Sequence, residues 1–251
     1  MKVRLLLAFL STSVTLQSQW RSWRGPTNDG VSIAKNLPDV WSENENVLWK
    51  SPLPAAGSST PIVVDDKVFV TVEHENAVHL LCISTAGKEL WTRKVCETNG
   101  KGNGERTNAS ATPSSDGNKV FVTTGTGEVV AFDLLGKEKW RFNAQERYGK
   151  FRFGFGFHST SVLHEGRLFL QLIHTAAQLV VGIESSTGKE LWKVERKSDG
   201  VAECLHSYAS PTVHRDGDLN VLITHGNDYC IGHDPEKGNE LWRISGLNPK
   251  D

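Results

Sequence analysis

Beyond residues 5–16, no stretch of this chain carries an apolar stripe of helical period, so a helical bundle is excluded. Cysteine is scarce: Cys82, Cys96, Cys204 and Cys230 are never adjacent and never in a CxxC pair. That excludes a zinc knot. Net charge is −1 with signs interspersed, and no basic face for nucleic acid can be assembled. Long hydrophobic runs are missing as well. The one apolar segment, in "MKVRLLLAFLSTSVTLQSQ" (1–19), is too short for a membrane span and reads as a secretory signal peptide behind Lys2 and Arg4. Export permits disulfides. Cys82 with Cys96 and Cys204 with Cys230 are the pairs the order of elements allows, with buried thiols the equal alternative.

What the chain does have is a repeated phrase. "GKELWTRKV" (87–95), "GKEKWRFNA" (136–144), "GKELWKVER" (188–196) and "KGNELWRIS" (237–245) end in Trp91, Trp140, Trp192 and Trp242, at intervals of 49, 52 and 50. Trp49, in "NVLWKSP", is an earlier and shorter member of the series. A second landmark keeps the same period: "SSTPIV" around Pro61, "SATPSS" around Pro113, "HSTSVL" around Ser161 and "YASPTV" around Pro211. Two unrelated landmarks at one period of about 50 mark a repeat architecture. Within residues 55–95, four short runs rich in Val, Ile and Thr are divided by "DDK", "HEN" and "TAGK". That is a unit of four strands, and such units arranged radially are propeller blades. The expected fold is therefore an all-β propeller of about four blades. The glycine of each phrase suits a turn of positive φ, and the tryptophan suits packing between blades rather than ligand contact.

The phrases "AFDLLGKEKW" (131–140) and "GIESSTGKELW" (182–192) resemble the repeat of the pyrroloquinoline quinone (PQQ) dehydrogenases and their non-enzymatic relatives. "WRSWRGPTNDGVS" (20–32), "LPDVWSENENVLWKSPLP" (37–54) and "RKSDGVAECLHSYASPTV" (197–213) resemble secreted bacterial PQQ-like propellers. The resemblance implies a ring of seven or eight blades, of which this chain is an N-terminal part; a complete four-bladed ring is the alternative. It divides the chain into a leader (1–19), an extension with a ring-closing strand in "ENVLWKSP" (20–54), and blades (55–251). PQQ with calcium is implied by the resemblance alone.

In a blade, the turns after strands one and three share one face and are short here. The other face carries the long links 96–110, 143–157 and 197–208, where function is expected. His158 and His206 each precede a first strand and point to the mouth of the axis, with Arg147, Tyr148, Glu203 and Tyr208 close in sequence. Two readings stand for this group: a polar pocket for a small ligand, with Arg147 gripping an anionic part, or a hydrogen-bonded rim that satisfies first-strand backbone groups. No ligand spacing supports a metal. "TTGTGEVV" (123–130) is a hairpin turn rather than a phosphate loop. "RFGFGF" (152–157) packs on the blade top in preference to stacking a planar ligand. No nucleophile–base–orienter set is visible. The expected function is a non-catalytic scaffold, secreted or periplasmic, binding an envelope protein or a small ligand. A PQQ-dependent alcohol or sugar dehydrogenase is the alternative. A polymer-binding module is the third reading, and the tryptophans, already used in packing, give it no support.

Overall fold

The computed structural model describes residues 19–99 and 107–247, with the side chains of 202 and 203 excepted. The leader expected at 1–19 thus lies outside the described residues but for Gln19. Sixteen strands form four antiparallel sheets of four. The first blade is β1 (Ile62–Val64), β2 (Lys67–His74), β3 (Ala77–Ser84) and β4 (Glu89–Glu97). The second is β5 (Ser114–Ser115), β6 (Lys119–Thr123), β7 (Glu128–Asp133) and β8 (Glu138–Asn143). The third is β9 (Val162–His164), β10 (Arg167–His174), β11 (Ala177–Glu184) and β12 (Glu190–Glu195). The fourth is β13 (Thr212–Asp216), β14 (Leu219–Gly226), β15 (Tyr229–His233) and β16 (Glu240–Ile244). Each blade runs in simple sequence order from first strand to fourth.

Alternation within strands builds the core between blades. Val120 and Val122 of β6 join Phe69, Leu80 and Val95 of the first blade, while Phe121 between them faces Leu168 and Leu170 of the third. Phe169 points the opposite way from Leu168 and packs with Val213 and Leu222 of the fourth blade. The middle strands of the second and third blades thus each serve two interfaces, as the period of two in their side chains allows.

The two repeated landmarks are the two locks between blades. At the outside, Trp91, Trp140, Trp192 and Trp242 occupy equivalent register positions, opposite Cys82, Ala131, Gly182 and Gly232. Each of the first three reaches into the next blade. The indole N–H donates to Leu134 O (3.2 Å), Ser185 O (3.0 Å) and Pro235 O (3.2 Å) respectively. Its ring lies on the phrase glycine of that next blade: Gly136, Gly188 or Gly238, at φ +80°, +74° and +77°. A Cβ on Gly188 would meet Trp140 at 2.7 Å. Trp49 makes the same contact with the first blade, donating to Thr85 O at 2.7 Å and lying on Gly87. At the inside, the residue before each second-landmark position forms a ladder. Thr60 N–H donates to Thr112 Oγ1 (3.0 Å), Thr112 N–H to Thr160 Oγ1 (3.0 Å), and Thr160 N–H to Ser210 Oγ (2.9 Å).

Several expectations change. The four tryptophans are equivalent in register but not in burial: Trp192 is 9% exposed and Trp242 is 37% exposed, because no following glycine covers the latter among the described residues. Residues 46–53 carry no strand, although Trp49 docks where a preceding blade's tryptophan would. Neither cysteine pair is bridged. Cys82 pairs with Trp91 and Cys96 with Val78, on different rungs of one sheet. Burial pushes the Cys82 thiol up to about 12. A five-residue helix, α1 (Ala144–Tyr148), also interrupts the all-β pattern, capped by the Asn143 side chain accepting from Gln145 and Glu146 N–H.

Candidate functional site

The long-loop face centres on the link between the second and third blades. Phe151, Phe153 and Phe157 lie with centroids 5.0–5.6 Å apart. Phe153 meets His174 edge-on at 4.8 Å and reaches Tyr208 at 6.0 Å and His206 at 6.4 Å. Glycine makes this packing feasible. Gly156 has φ +94°, a conformation that favours glycine, and a Cβ on Gly156 would lie 3.5 Å from His158 Nε2 and one on Gly154 3.4 Å from the Tyr208 hydroxyl. The "RFGFGF" segment therefore packs on the chain's own aromatics, as its sequence leads one to expect.

His158, His206 and Tyr208 come together at this place. Tyr208 lies 6.3 Å from His158 and 6.4 Å from His206, ring to ring. His158 Nε2–H donates to Phe155 O (2.7 Å), and the Tyr208 hydroxyl accepts from Phe155 N–H (3.3 Å). Beneath them Gln171 is buried, its amide nitrogen donating to Ser207 Oγ, Ala209 O and His225 O. That network satisfies the carbonyls of Ala209, before the start of β13, and His225, near the end of β14. His174 is buried, and its Nδ1 accepts from Ala176 N–H, which fixes a neutral tautomer. Burial, with the charge of His206 second, lowers its pKa to about 4.

Arg147 and Tyr148 are set apart from this group. Arg147 donates to Gly188 O at 3.0 Å and lies 3.7 Å over the Phe142 ring. Its charge is thus spent on holding the third blade's last turn. Tyr148 packs edge-on against Phe142 and belongs to the core between the second and third blades. Burial raises its phenol. Glu203 sits in a short 3-10 turn, Ala202–Leu205, and its side chain lies outside the described residues. Sequence reasoning missed the phenylalanines and Gln171 as partners of the histidines. It also missed the Thr60–Ser210 ladder, which a search for a hydroxyl at fixed offset from the second landmark finds at once.

Among the described residues, no group of three or more His, Cys, Asp or Glu is placed to hold a metal ion. Phenylalanine rings fill the stack, and hydroxyls that accept from backbone N–H groups line the first-strand entries. These residues do not fit a calcium-bound quinone.

Architecture and aromatic locks define the class: a propeller of PQQ-like repeats. The chain belongs to the family described as outer membrane protein assembly factor BamB, whose profile matches residues 76–250. No curated protein sequence matches it. Among solved structures it is similar to BamB from Moraxella catarrhalis, at 16% identity and TM-score 0.51, over 78% of this chain and 51% of that one. It is also similar to a quinohemoprotein alcohol dehydrogenase from Comamonas testosteroni, at 16% identity and TM-score 0.56, over 76% and 35%. A europium-containing methanol dehydrogenase matches at 14% identity and TM-score 0.55, over 76% and 42%. The chain thus spans about half, or less, of these proteins, and at such identities the likeness is one of fold.

Proposed function

We propose that this protein is a non-catalytic propeller scaffold of the cell envelope, exported by its leader, that docks a protein partner at the long-loop face. The observation that carries this reading is the aromatic platform itself. Phe155 is 57% exposed and packs edge-on against Tyr208, which is 36% exposed and rests on Phe153. Rigid, half-exposed aromatics are the residues that dominate protein interfaces. His158 and His206 border them with polar edges that suit backbone groups of a partner strand or loop. Membership of a family described by outer membrane protein assembly supports the same role.

The test is a photo-crosslinking residue at position 155 in cells, followed by binding measurements with the purified partner it captures. Phe155→Asp should weaken that binding by about 2 kcal/mol or more, the size of an interface hot spot. Equal binding by the variant would remove the platform from the interface. Dye-linked alcohol oxidation by the purified chain with PQQ and calcium would overturn the non-catalytic reading.

A further inference from the structure

The opposite, short-loop face holds a different site. Residues 20–28 run against the first strands of three blades there. Trp20 pairs through its backbone with Val63 of β1, Arg21 O accepts from Ser115 N–H of β5, and Asn28 O accepts from Thr212 Oγ1 of β13. Between this segment and the first strands lies a cavity of about 320 Å³ whose walls include Arg21, Ser22, Asn28, Ser115 and Arg215. Arg24 and Arg215 also wall a second hollow beside it.

The arginines here are not neutralised. Among the described residues, the ion-paired arginines are Arg141, Arg167 and Arg243, and Arg21, Arg24 and Arg215 join no ion pair. Of the nearby carboxylates, Asp29 feels the charge of Arg24 and Glu165 lies 3.6 Å from His164 Nε2, and among the described residues none forms an ion pair with Arg21 or Arg215. Asp65 accepts from Gln19 Nε2, Asp116 binds Lys119, and Asp29 accepts from Thr27 Oγ1 and Val31 N–H. Both cavity arginines are anchored rather than loose. The Arg21 guanidinium rests on Gly117, where a Cβ would lie 2.8 Å from Nη1, and Arg21 O accepts from Ser115 N–H at 2.9 Å. Arg215 Nη2 donates to Nδ1 of buried His164 at 2.9 Å. An imidazole that accepts there is neutral and leaves the arginine's charge uncompensated. Two pre-oriented forks on separate walls of a concave site concentrate positive potential.

We propose that this axial cavity binds a small, doubly charged oxyanion, a phosphate or a dicarboxylate, between Arg21 and Arg215. The volume admits a molecule of that size, and each fork keeps N–H donors for it. The site is separate from the aromatic platform and does not depend on it.

Calorimetric titration of the full chain at low ionic strength tests this, with inorganic phosphate in one arm and succinate in the other, because salt screens such contacts. Saturable one-site binding is expected in at least one arm, and which arm binds identifies the source of the oxyanion. Arg21→Gln and Arg215→Gln should each weaken it roughly tenfold, the size of one charge-assisted hydrogen bond. Lys189→Gln, in the turn just before the third blade's outer strand, should leave it unchanged. A cooperative melt in each variant will show that folding is intact. The absence of saturable heat in both arms overturns the proposal, and so does equal affinity in the arginine variants.

Discussion

The phrase glycines carry two burdens that two substitutions can separate. Gly188 has φ +74° and lies under Trp140, while Gly166 has φ +75° with nothing within 4 Å of its missing Cβ. Gly166→Ala should cost only the backbone penalty, about 1–2 kcal/mol. Gly188→Ala adds a steric conflict with a large, locked ring and should cost a further 1–3 kcal/mol, roughly the range for overpacking. Urea denaturation of both variants is the measurement, and equal losses would show that Trp140 does not press on Gly188. The tryptophans divide in the same way. Trp192→Ala should lose about 3–5 kcal/mol, whereas exposed Trp242→Ala should lose well under half of that. The repeated Gly and Trp were legible as turn and packing residues. That Trp91, Trp140 and Trp192 each lie on the phrase glycine of the next repeat, 45–48 positions on, was not, because packing between blades does not by itself name the partner residue.

Strands were legible where alternation was strong, as in β2, β3, β10 and β11, each eight residues long. Hidden from sequence were elements whose partners are remote. Trp20 bridges to Val63 through backbone alone, and no side-chain pattern announces such a pairing. Conversely, "ENVLWKSP" has a strand's composition but no sheet partner here, since propensity cannot supply an edge to pair with. Of the candidate site, His158, His206 and Tyr208 were legible from their place before first strands. Arg147 was misplaced because a five-residue helix, too short to leave a periodic signal, redirects it onto the third blade. The hydroxyl ladder gives a prediction at this scale. Thr112→Val leaves the Thr60 N–H without its acceptor in a partly buried setting and should cost about 1 kcal/mol. Thr112→Ser keeps the oxygen and should cost clearly less. Faster amide exchange at residue 60 in the valine variant alone is the accompanying signature. Identical stabilities for the two variants would deny the ladder any role in joining blades.

Taken as a whole, the molecule stacks its blades so that polar side chains become trapped between them, and imidazoles are prominent among these. His79, His164, His174 and His233 all have lowered pKa values, with burial the leading cause in each. The sign of the resulting pH dependence follows from linkage. In the unfolded chain an imidazole takes up its proton near pH 6.5, while His174 in the folded chain does so only at about 4. Between those values the unfolded state binds more protons, so acid favours unfolding. The stability contributed by keeping His174 neutral is therefore complete above about pH 6.5, is lost as pH falls toward 4, and changes no further below that. Carboxylates with lowered pKa values, Glu138 and Glu240 among them, add their own loss, but only at and below the ordinary carboxylate range near 4.5. The window from 6.5 to 4.5 thus belongs to the imidazoles. Replacing His174 by Phe keeps an aromatic ring against Phe151 and Phe153 and removes the titrating group. Denaturation midpoints measured across that window should fall less steeply with acid in His174→Phe than in the wild type, with the two curves converging in slope above pH 7. A variant whose slope matches the wild type throughout would mean that His174 is already protonated in the folded blade, and that the neutral tautomer fixed by the Ala176 N–H is not the one the protein holds.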